Sequence, residues 1–102
     1  MAPPNNAQFG IRSGELQVGT GQVTLVDGLT TARYVYVKPL STNGGDLLIH
    51  HKVGPDTGVG YRLEPTDPAQ LVDLNYDNAS IRISATTNGN TATWMLREHD
   101  LA

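Results

Sequence analysis

Apolar and polar residues alternate along most of this chain, and the apolar residues do not recur at the three- and four-residue spacing of a helix. Their runs, rich in β-branched and aromatic residues, are separated by Gly, Asn, Asp and Pro, a pattern typical of strands and turns. Seven strands are predicted: QVTLV (22–26), RYVYVKPL (33–40), DLLIHHKV (46–53), GYRLE (60–64), QLVDL (70–74), SIRISAT (80–86) and TATWMLRE (91–98). Their centres lie about 10 to 13 residues apart, which is the spacing of a β-sandwich or small barrel. Of these all-β folds, we expect a single antiparallel β-sandwich.

The alternation also predicts which side chains face the core, because successive side chains of a strand point to opposite faces. Four pairs are predicted to point inward and three residues outward: Val35 with Val37, Leu47 with Ile49, Ile81 with Ile83 and Trp94 with Leu96, against Arg82, Ser84 and Thr93. Tyr34 and Tyr36 share the face opposite Val35 and Val37. This tyrosine pair is either an outward binding surface for protein or sugar, or, if the valines face out, part of the core.

Turn signals predict how the strands connect. STNGGD (41–46) and TTNGN (86–90) both contain Asn-Gly, which suits the positive φ of tight hairpin turns. We therefore expect the strand at 33–40 to pair with the one at 46–53, and the strand at 80–86 with the one at 91–98. The longer loop VGPDTGVG (53–60) and the loop EPTDPA (64–69), with its two prolines, are predicted to cross between sheets.

The first 21 residues, MAPPNNAQFGIRSGELQVGTG, differ from the rest, because isolated apolar residues are mixed with Pro, Asn and Gly. They are predicted to form an extended N-terminal arm (1–21) ahead of a β-sandwich domain (22–102). Such an arm either contacts a neighbouring chain or folds back on its own domain. Its candidate interaction residues are Pro3, Pro4, Phe9, Ile11 and Arg12.

Composition limits the possible partners and locations. The chain has no cysteine, so disulfides and thiolate metal sites are excluded. A net charge of -3 and only seven dispersed Lys and Arg residues argue against nucleic acid as a partner and favour protein contacts. With no apolar run of about 18 residues we expect no membrane span, and with no signal-like start we expect the chain to stay in the cytosol unless an assembly carries it out.

Two adjacent histidines, His50 and His51, end the apolar run LLIHH. Neighbouring residues of a strand face opposite ways, so this pair is not expected to chelate one ion. His51 is predicted to be half-buried at the rim, on the face of Ile49, and His50 to be a surface or interface residue on the face of Leu48. The alternative is a symmetric ligand set, in which one histidine meets its own copy about an oligomer axis.

No other motif predicts chemistry. DLNYDN (73–78) begins like a calcium loop but has Asn78 and Ser84 where glycine and glutamate are required. The chain has no cysteine, G-x-S-x-G or Ser-x-x-Lys nucleophile, and its glycine-rich stretches precede no predicted helix. We therefore predict that the protein is not an enzyme and has no catalytic residue, metal or cofactor.

From Arg33 onward the order of elements resembles small virion structural proteins of tailed bacteriophages. The matching features are the strand RYVYVKPL, the return GGDLLI, the glycine-rich loop into GYRLEPTDPAQLVDL, and the closing segment NASIRISATTNGNTATWML. The resemblance is greatest to head decoration (cement) proteins, and it covers roughly the last 70 residues. It implies a compact β-sandwich that binds the outside of a capsid at junctions between major capsid subunits.

The first functional hypothesis is accordingly a capsid decoration protein, made in the host cytoplasm and carried on the capsid surface. We expect a jelly-roll-like or other β-sandwich of about seven to eight strands, forming a homo-oligomer (dimer or trimer) that clamps the major capsid protein. Tyr34, Tyr36, His50 and His51 are candidate contacts, together with the arm. Two alternatives remain open: a phage neck or tail structural protein, and a carbohydrate-binding module using Tyr34, Tyr36 and the loop at 53–60.

Overall fold

The computed structural model describes residues 10–26, 30–50, 59–74 and 81–98. Within those ranges the chain is all-β, with eight strands in two antiparallel sheets and no helix. The strands are β1 (Ile11–Val18), β2 (Val23–Thr24), β3 (Tyr34–Pro39), β4 (Leu47–His50), β5 (Val59–Leu63), β6 (Gln70–Asp73), β7 (Arg82–Ala85) and β8 (Asn90–Arg97). Strands β2 to β8 overlap the seven predicted stretches, which confirms the predicted class, and β1 is an eighth strand.

The two sheets have a regular order. The first sheet is β1-β8-β3-β6 and the second is β2-β7-β4-β5. The first half of the chain pairs with the second half in reverse, since β1 joins β8, β2 joins β7, β3 joins β6 and β4 joins β5. The pairs β3 with β8 and β4 with β7 complete the two sheets. Consecutive strands therefore lie in different sheets everywhere except between β4 and β5.

This order contradicts both predicted hairpins. β3 and β8 lie in the first sheet while β4 and β7 lie in the second, so the segments 41–46 and 86–89 cross between sheets. Asn-Gly marks a sharp turn, with Gly89 at a φ of 80°, but it does not decide whether the next strand pairs with the last. The prediction that 53–60 crosses is also wrong, because β4 and β5 are paired neighbours. The crossing at 64–69, from β5 to β6, is confirmed.

Two asparagine side chains join these crossing segments to each other. Asn90 is fully buried; its Oδ1 accepts a hydrogen bond from the Gly45 N–H at 3.0 Å, and its amide donates to the Thr87 carbonyl. Asn43 bonds both backbone groups of Thr91, accepting from its N–H and donating to its carbonyl, each at 2.9 Å. A side chain at Gly45 would force its neighbours to shift, because a Cβ would stand 2.5 Å from the Thr87 hydroxyl and 3.1 Å from the Thr87 nitrogen. Side-chain hydrogen bonds thus replace the sheet ladder where the chain changes sheets.

The N-terminal boundary differs from the prediction. Ile11–Val18, assigned to the arm from the sequence, form β1 and pair with β8 over the whole length of the strand. The first sheet therefore begins at Ile11, ahead of the expected start of the domain at residue 22. Residues 1–9 of the predicted arm, including its three candidates Pro3, Pro4 and Phe9, lie outside the described residues.

The alternation of apolar and polar residues is weak in β1 because not all of its inward positions are apolar. Arg12 and Gly14 occupy two of them, so an apolar pattern appears only from Leu16 to Val18. Gly14 lies opposite Trp94, and a Cβ on Gly14 would stand 3.0 Å from Cζ2 of the indole. The Arg12 guanidinium lies 5.8 Å from the centre of the same ring. The glycine and the arginine are therefore the local environment of Trp94, which packs against the core as expected.

The core lies between the two sheets and contains seven of the eight predicted inward residues, while the eighth, Trp94, is half-buried and packs against it. Its members come from both sheets and from the segments beside them: Val18, Leu25, Val26, Ala32, Val35, Val37, Leu47, Ile49, Leu63, Val72, Leu74, Ile81, Ile83, Ala85, Ala92 and Leu96. Because Val35 and Val37 are fully buried, the orientation of Tyr34 and Tyr36 is decided: both tyrosines face outward. This orientation places them on the outer face of the first sheet.

Candidate functional site

The outer face of the first sheet carries a cluster of exposed apolar and aromatic side chains. We call it the tyrosine face, and its members are Ile11 on β1, Met95 on β8, Tyr34 and Tyr36 on β3, and Leu71 on β6. Tyr36 is the central member, since it stands opposite Met95 on one side and Leu71 on the other. All four strands of the sheet therefore contribute to one surface, which the alternation of each strand turns away from the core.

Exposure distinguishes the tyrosine face from the rest of the described surface. The exposed fractions are 63% for Ile11, 54% for Tyr36, 49% for Met95, 45% for Tyr34 and 39% for Leu71. Together these side chains expose an area on the order of 400 Å², within the range where an apolar surface patch is often functional. The other exposed large apolar residues, which are Val23, Leu40 and Tyr61, belong to separate elements. Singly exposed apolar residues of this kind need no special explanation.

The tyrosine face contains two adjoining grooves. The larger, of about 530 Å³, is lined by all five members of the tyrosine face together with Arg33, Leu96 and Arg97. The smaller, of about 390 Å³, lies beside it on the same face, and its lining is mainly apolar although Ser13, Glu15, Lys38 and Thr93 contribute to it. Tyr36 and Met95 line both grooves, so the two grooves adjoin at these side chains. A partner that covers the face would meet a mainly apolar surface with a few polar groups.

Charged groups at the border of the face are held by neighbours. The Arg33 guanidinium lies 5.4 Å from the centre of the Tyr34 ring, and its Nη2 is 3.4 Å from Asp73 Oδ2. Lys38 donates a hydrogen bond from Nζ to the Asp67 carbonyl at 3.4 Å. Stacking of a guanidinium on an aromatic ring restricts both groups and presents a flat surface. The border is therefore partly preorganised, which lowers the conformational entropy lost on binding.

His50, the other described candidate on β4, is in a different environment from the one predicted. It points to the outer face of the second sheet, on the side opposite Ile49, as expected, but it is only 4% exposed. Its Nε2 lies 2.8 Å from the Ser84 hydroxyl, and Ser84 is also 4% exposed. The expectation of a surface histidine is therefore wrong, because the two polar groups on adjacent strands satisfy each other while buried. His51 lies outside the described residues.

The His50 and Ser84 pair has the atoms of a base and a nucleophile at hydrogen-bonding distance. Ser84 is only 4% exposed, so its hydroxyl presents little surface to a substrate. A buried pair of this kind stabilises the sheet instead, since leaving either group unsatisfied would cost about 1–3 kcal/mol. Neither member of the pair lines the two grooves beside Tyr36.

The predicted interaction residues are thus distributed over different parts of the domain. Ile11, Tyr34 and Tyr36 come together on the tyrosine face, whereas Arg12 turns to the inner side beside Trp94 and Glu98. Met95 and Leu71 were missed, and both could have been found. Met95 lies between the predicted inward residues Trp94 and Leu96, and Leu71 precedes Val72 in the predicted strand 70–74, so alternation places Met95 on the outer face, and Leu71 as well if Val72 faces the core.

Comparison with protein-family models, curated proteins and solved structures found no match to this chain. Among residues 10–26, 30–50, 59–74 and 81–98, no group of three or more His, Asp or Glu side chains is arranged to hold a metal ion. The same ranges contain no helix that could cross a lipid bilayer.

Proposed function

We propose that this protein is a virion structural protein, a capsid decoration protein that docks the tyrosine face on the major capsid protein. The observation that carries the proposal is the tyrosine face itself, because it puts aromatic and apolar side chains from four strands on one exposed surface. Tyr, Met and Arg are enriched in protein interfaces, and buried tyrosines often dominate their binding energy. The buried positions of the sheet hold this face in one geometry before the partner arrives.

The face is large enough to drive binding. Removing on the order of 400 Å² of apolar surface from water gains at most about 10 kcal/mol before the costs of association are subtracted. A complementary partner surface would be an apolar ridge for the larger groove, with a carboxylate near Arg97 and a polar group near Lys38. On a capsid many copies bind side by side. A modest gain per copy then stabilises the whole shell, because bound protein favours the assembled state.

Strand order supports the same proposal at the level of fold. We infer a jelly-roll arrangement, because the orders β1-β8-β3-β6 and β2-β7-β4-β5 are those expected when an antiparallel ribbon of paired strands rolls into two facing sheets. Jelly rolls occur in viral capsid and lectin domains. This support is an analogy of fold and says nothing by itself about the site. It agrees with the resemblance to phage decoration proteins seen in the chain from Arg33 onward.

The test is occupancy of phage heads assembled without the protein. Purified wild-type chain, Tyr36→Ala and Tyr61→Ala are added to such heads, and bound copies are measured by co-sedimentation. We expect Tyr36→Ala to weaken binding by about 10-fold or more, since it removes the central contact of the face. Tyr61→Ala is the matched control: Tyr61 is an exposed tyrosine of the second sheet, and its loss should leave occupancy unchanged. Equal binding by all three proteins would exclude docking through the tyrosine face.

A density map of phage particles that carry the protein would distinguish a location on the head from a location in the neck or tail. Symmetric copies over the capsid subunits support the decoration proposal, whereas a ring of copies at the portal vertex would support the neck or tail alternative. In either place, the tyrosine face should be the surface turned towards the partner.

One observation also favours a carbohydrate-binding module. Tyr34 and Tyr36 expose two aromatic rings beside a groove of about 530 Å³, and aromatic faces bind the apolar faces of sugar rings. Glycan-array screening followed by calorimetric titration tests this function. Saturable sugar binding that Tyr36→Ala abolishes, combined with no binding to heads, would replace the decoration proposal. The absence of any saturable sugar binding would remove the alternative.

A further inference from the structure

β1 is the longest strand with an open edge in the described part of the chain. It has eight residues, is the outermost strand of the first sheet, and pairs with β8 on one side only. Its register against β8 runs from Ile11 to Val18 without a bulge. The remaining edge strands are shorter, with two residues in β2, five in β5 and four in β6, and the pairing of β5 with β4 is interrupted by a register shift.

The hydrogen-bond pattern shows which backbone groups lie along this edge. Glu98 donates its N–H to the Gly10 carbonyl at 3.1 Å, in continuation of the β1 and β8 register. Antiparallel neighbours alternate between hydrogen-bonded and non-hydrogen-bonded pairs, so the even-numbered residues of β1 direct their N–H and C=O groups at β8. The odd-numbered residues direct theirs away from the sheet. These residues are Ile11, Ser13, Glu15 and Gln17.

The edge carries few of the features that prevent strand pairing. Proteins protect open edges with proline, lysine, bulges or short strands, and β1 has none of these. Its only outward-facing charge is Glu15, because Arg12 turns inward to Trp94. An eight-residue strand whose outward-directed donors and acceptors have no backbone partner among the described residues is a template for another strand.

We propose that β1 pairs antiparallel with β1 of a second copy, which joins two first sheets into one eight-stranded sheet. A two-fold axis beside Gly14 sets Ser13 opposite Glu15 and Ile11 opposite Gln17 of the other copy. All four outward-directed residues of each strand then find a partner, and the two Glu15 carboxylates do not face each other. At the axis the two Gly14 residues form a non-hydrogen-bonded pair, where Cα atoms approach to about 4.5 Å and a glycine offers no obstruction.

Pairing in this register also extends the tyrosine face. Ile11, its most exposed member, lies on the edge strand, so pairing covers part of that side chain. The faces of the two copies become halves of one continuous surface related by the two-fold axis. The dimer does not depend on the proposed capsid function, because it forms in solution without any other partner. A failure of dimerisation and a failure of capsid docking are therefore seen in separate experiments.

Sedimentation velocity over a wide concentration range tests the proposal. We expect the wild-type chain to shift reversibly from one to two copies, with a dissociation constant on the order of micromolar because a single strand pair is a small interface. S13K should tighten the dimer by about 3- to 10-fold, since the two-fold axis produces two pairs in which the lysine of one copy lies opposite Glu15 of the other. S13E sets like charges opposite each other and should weaken the dimer by a similar factor. The double variant S13E/E15K restores opposite charges and should recover the affinity.

Thr66→Glu and Thr66→Lys are the matched controls. Thr66 is exposed in a turn away from β1, so these changes alter net charge without touching the edge, and the dissociation constant should stay within about two-fold of wild type. Urea midpoints close to wild type would show that the variants fold. A wild-type chain that is monomeric at every concentration overturns the proposal. Weakening by both S13K and S13E, with no recovery in S13E/E15K, would overturn the register, because opposite charges at positions 13 and 15 would then bring no gain.

Discussion

Replacing Asn90 with alanine removes the side chain that joins the two crossing segments. Asn90 is fully buried, and its Oδ1 accepts the hydrogen bond from Gly45 N at 3.0 Å. Its amide donates to both the carbonyl and the hydroxyl of Thr87. Gly45 is buried as well, so after the substitution its N–H has neither the asparagine nor bulk water as a partner.

The expected cost follows from these contacts. A buried backbone N–H left without an acceptor costs about 1–3 kcal/mol, and the lost bonds to Thr87 add about 1 kcal/mol, since that residue is exposed and water can replace part of them. We therefore expect Asn90→Ala to lower the free energy of unfolding by about 2–4 kcal/mol. This is a large fraction of the total for a chain of this size and corresponds to a fall in Tm of about 10 to 20 °C.

Asn88→Ala is the matched control. The Oδ1 of Asn88 also accepts a hydrogen bond from a backbone N–H, that of Thr20 at 3.0 Å, but the bond is exposed to solvent. Its loss should cost less than about 1 kcal/mol, because water satisfies both groups. Urea unfolding of both variants, followed by circular dichroism, measures the difference. Equal costs for the two substitutions, or a cost below about 1 kcal/mol for Asn90→Ala, would refute the argument that burial of this corner determines its importance.

Three further substitutions test the core and the buried polar pair. Val37→Ala, at a fully buried position, should cost about 1–3 kcal/mol in urea unfolding, and a smaller cost would mean that the site is not close-packed. Gly14→Val should destabilise the domain by about 1–3 kcal/mol and shift the fluorescence of Trp94, the only tryptophan, because a Cβ would stand 3.0 Å from its ring; an unchanged spectrum would contradict this contact. Ser84→Ala should cost about 1–3 kcal/mol, since it removes the hydroxyl 2.8 Å from His50 Nε2, and a neutral result would show that water satisfies the ring.

Strand positions could be predicted because each strand carries its own alternating pattern. Tyr34 to Val37 show this most clearly, since the two valines are buried and the two tyrosines are exposed. Pairing could not be predicted in the same way. A turn at Asn88-Gly89 is equally compatible with a hairpin and with a crossing, and the side-chain contacts that select the crossing come from Asn90 and Asn43 of different segments.

β1 shows where the pattern fails for a physical reason. Two of its inward positions are Arg12 and Gly14, and both contact the ring of Trp94, about 80 residues further along the chain. Because this contact is distant in sequence, no local apolar pattern marks the two positions as inward. His50 is a similar case, because its hydrogen-bond partner Ser84 lies in another strand, far along the chain. In both cases a tertiary contact overrides the local expectation.

The topology also explains why the sequence contains no motif for the tyrosine face. Consecutive strands mostly alternate between sheets, so the first sheet collects its outer face from four segments that are far apart in the chain. Ile11 stands opposite Arg97, and Tyr36 lies between Met95 and Leu71, although no two of these segments are adjacent in sequence. A local motif can describe a site on one loop or one helix, whereas a sheet face of this kind is specified by the phase of each strand and by strand order together. A substitution that leaves every strand intact but removes an apolar outward residue of β6, such as Leu71→Ser, should therefore reduce the copies bound to phage heads in co-sedimentation, because the face loses its apolar contact opposite Tyr36.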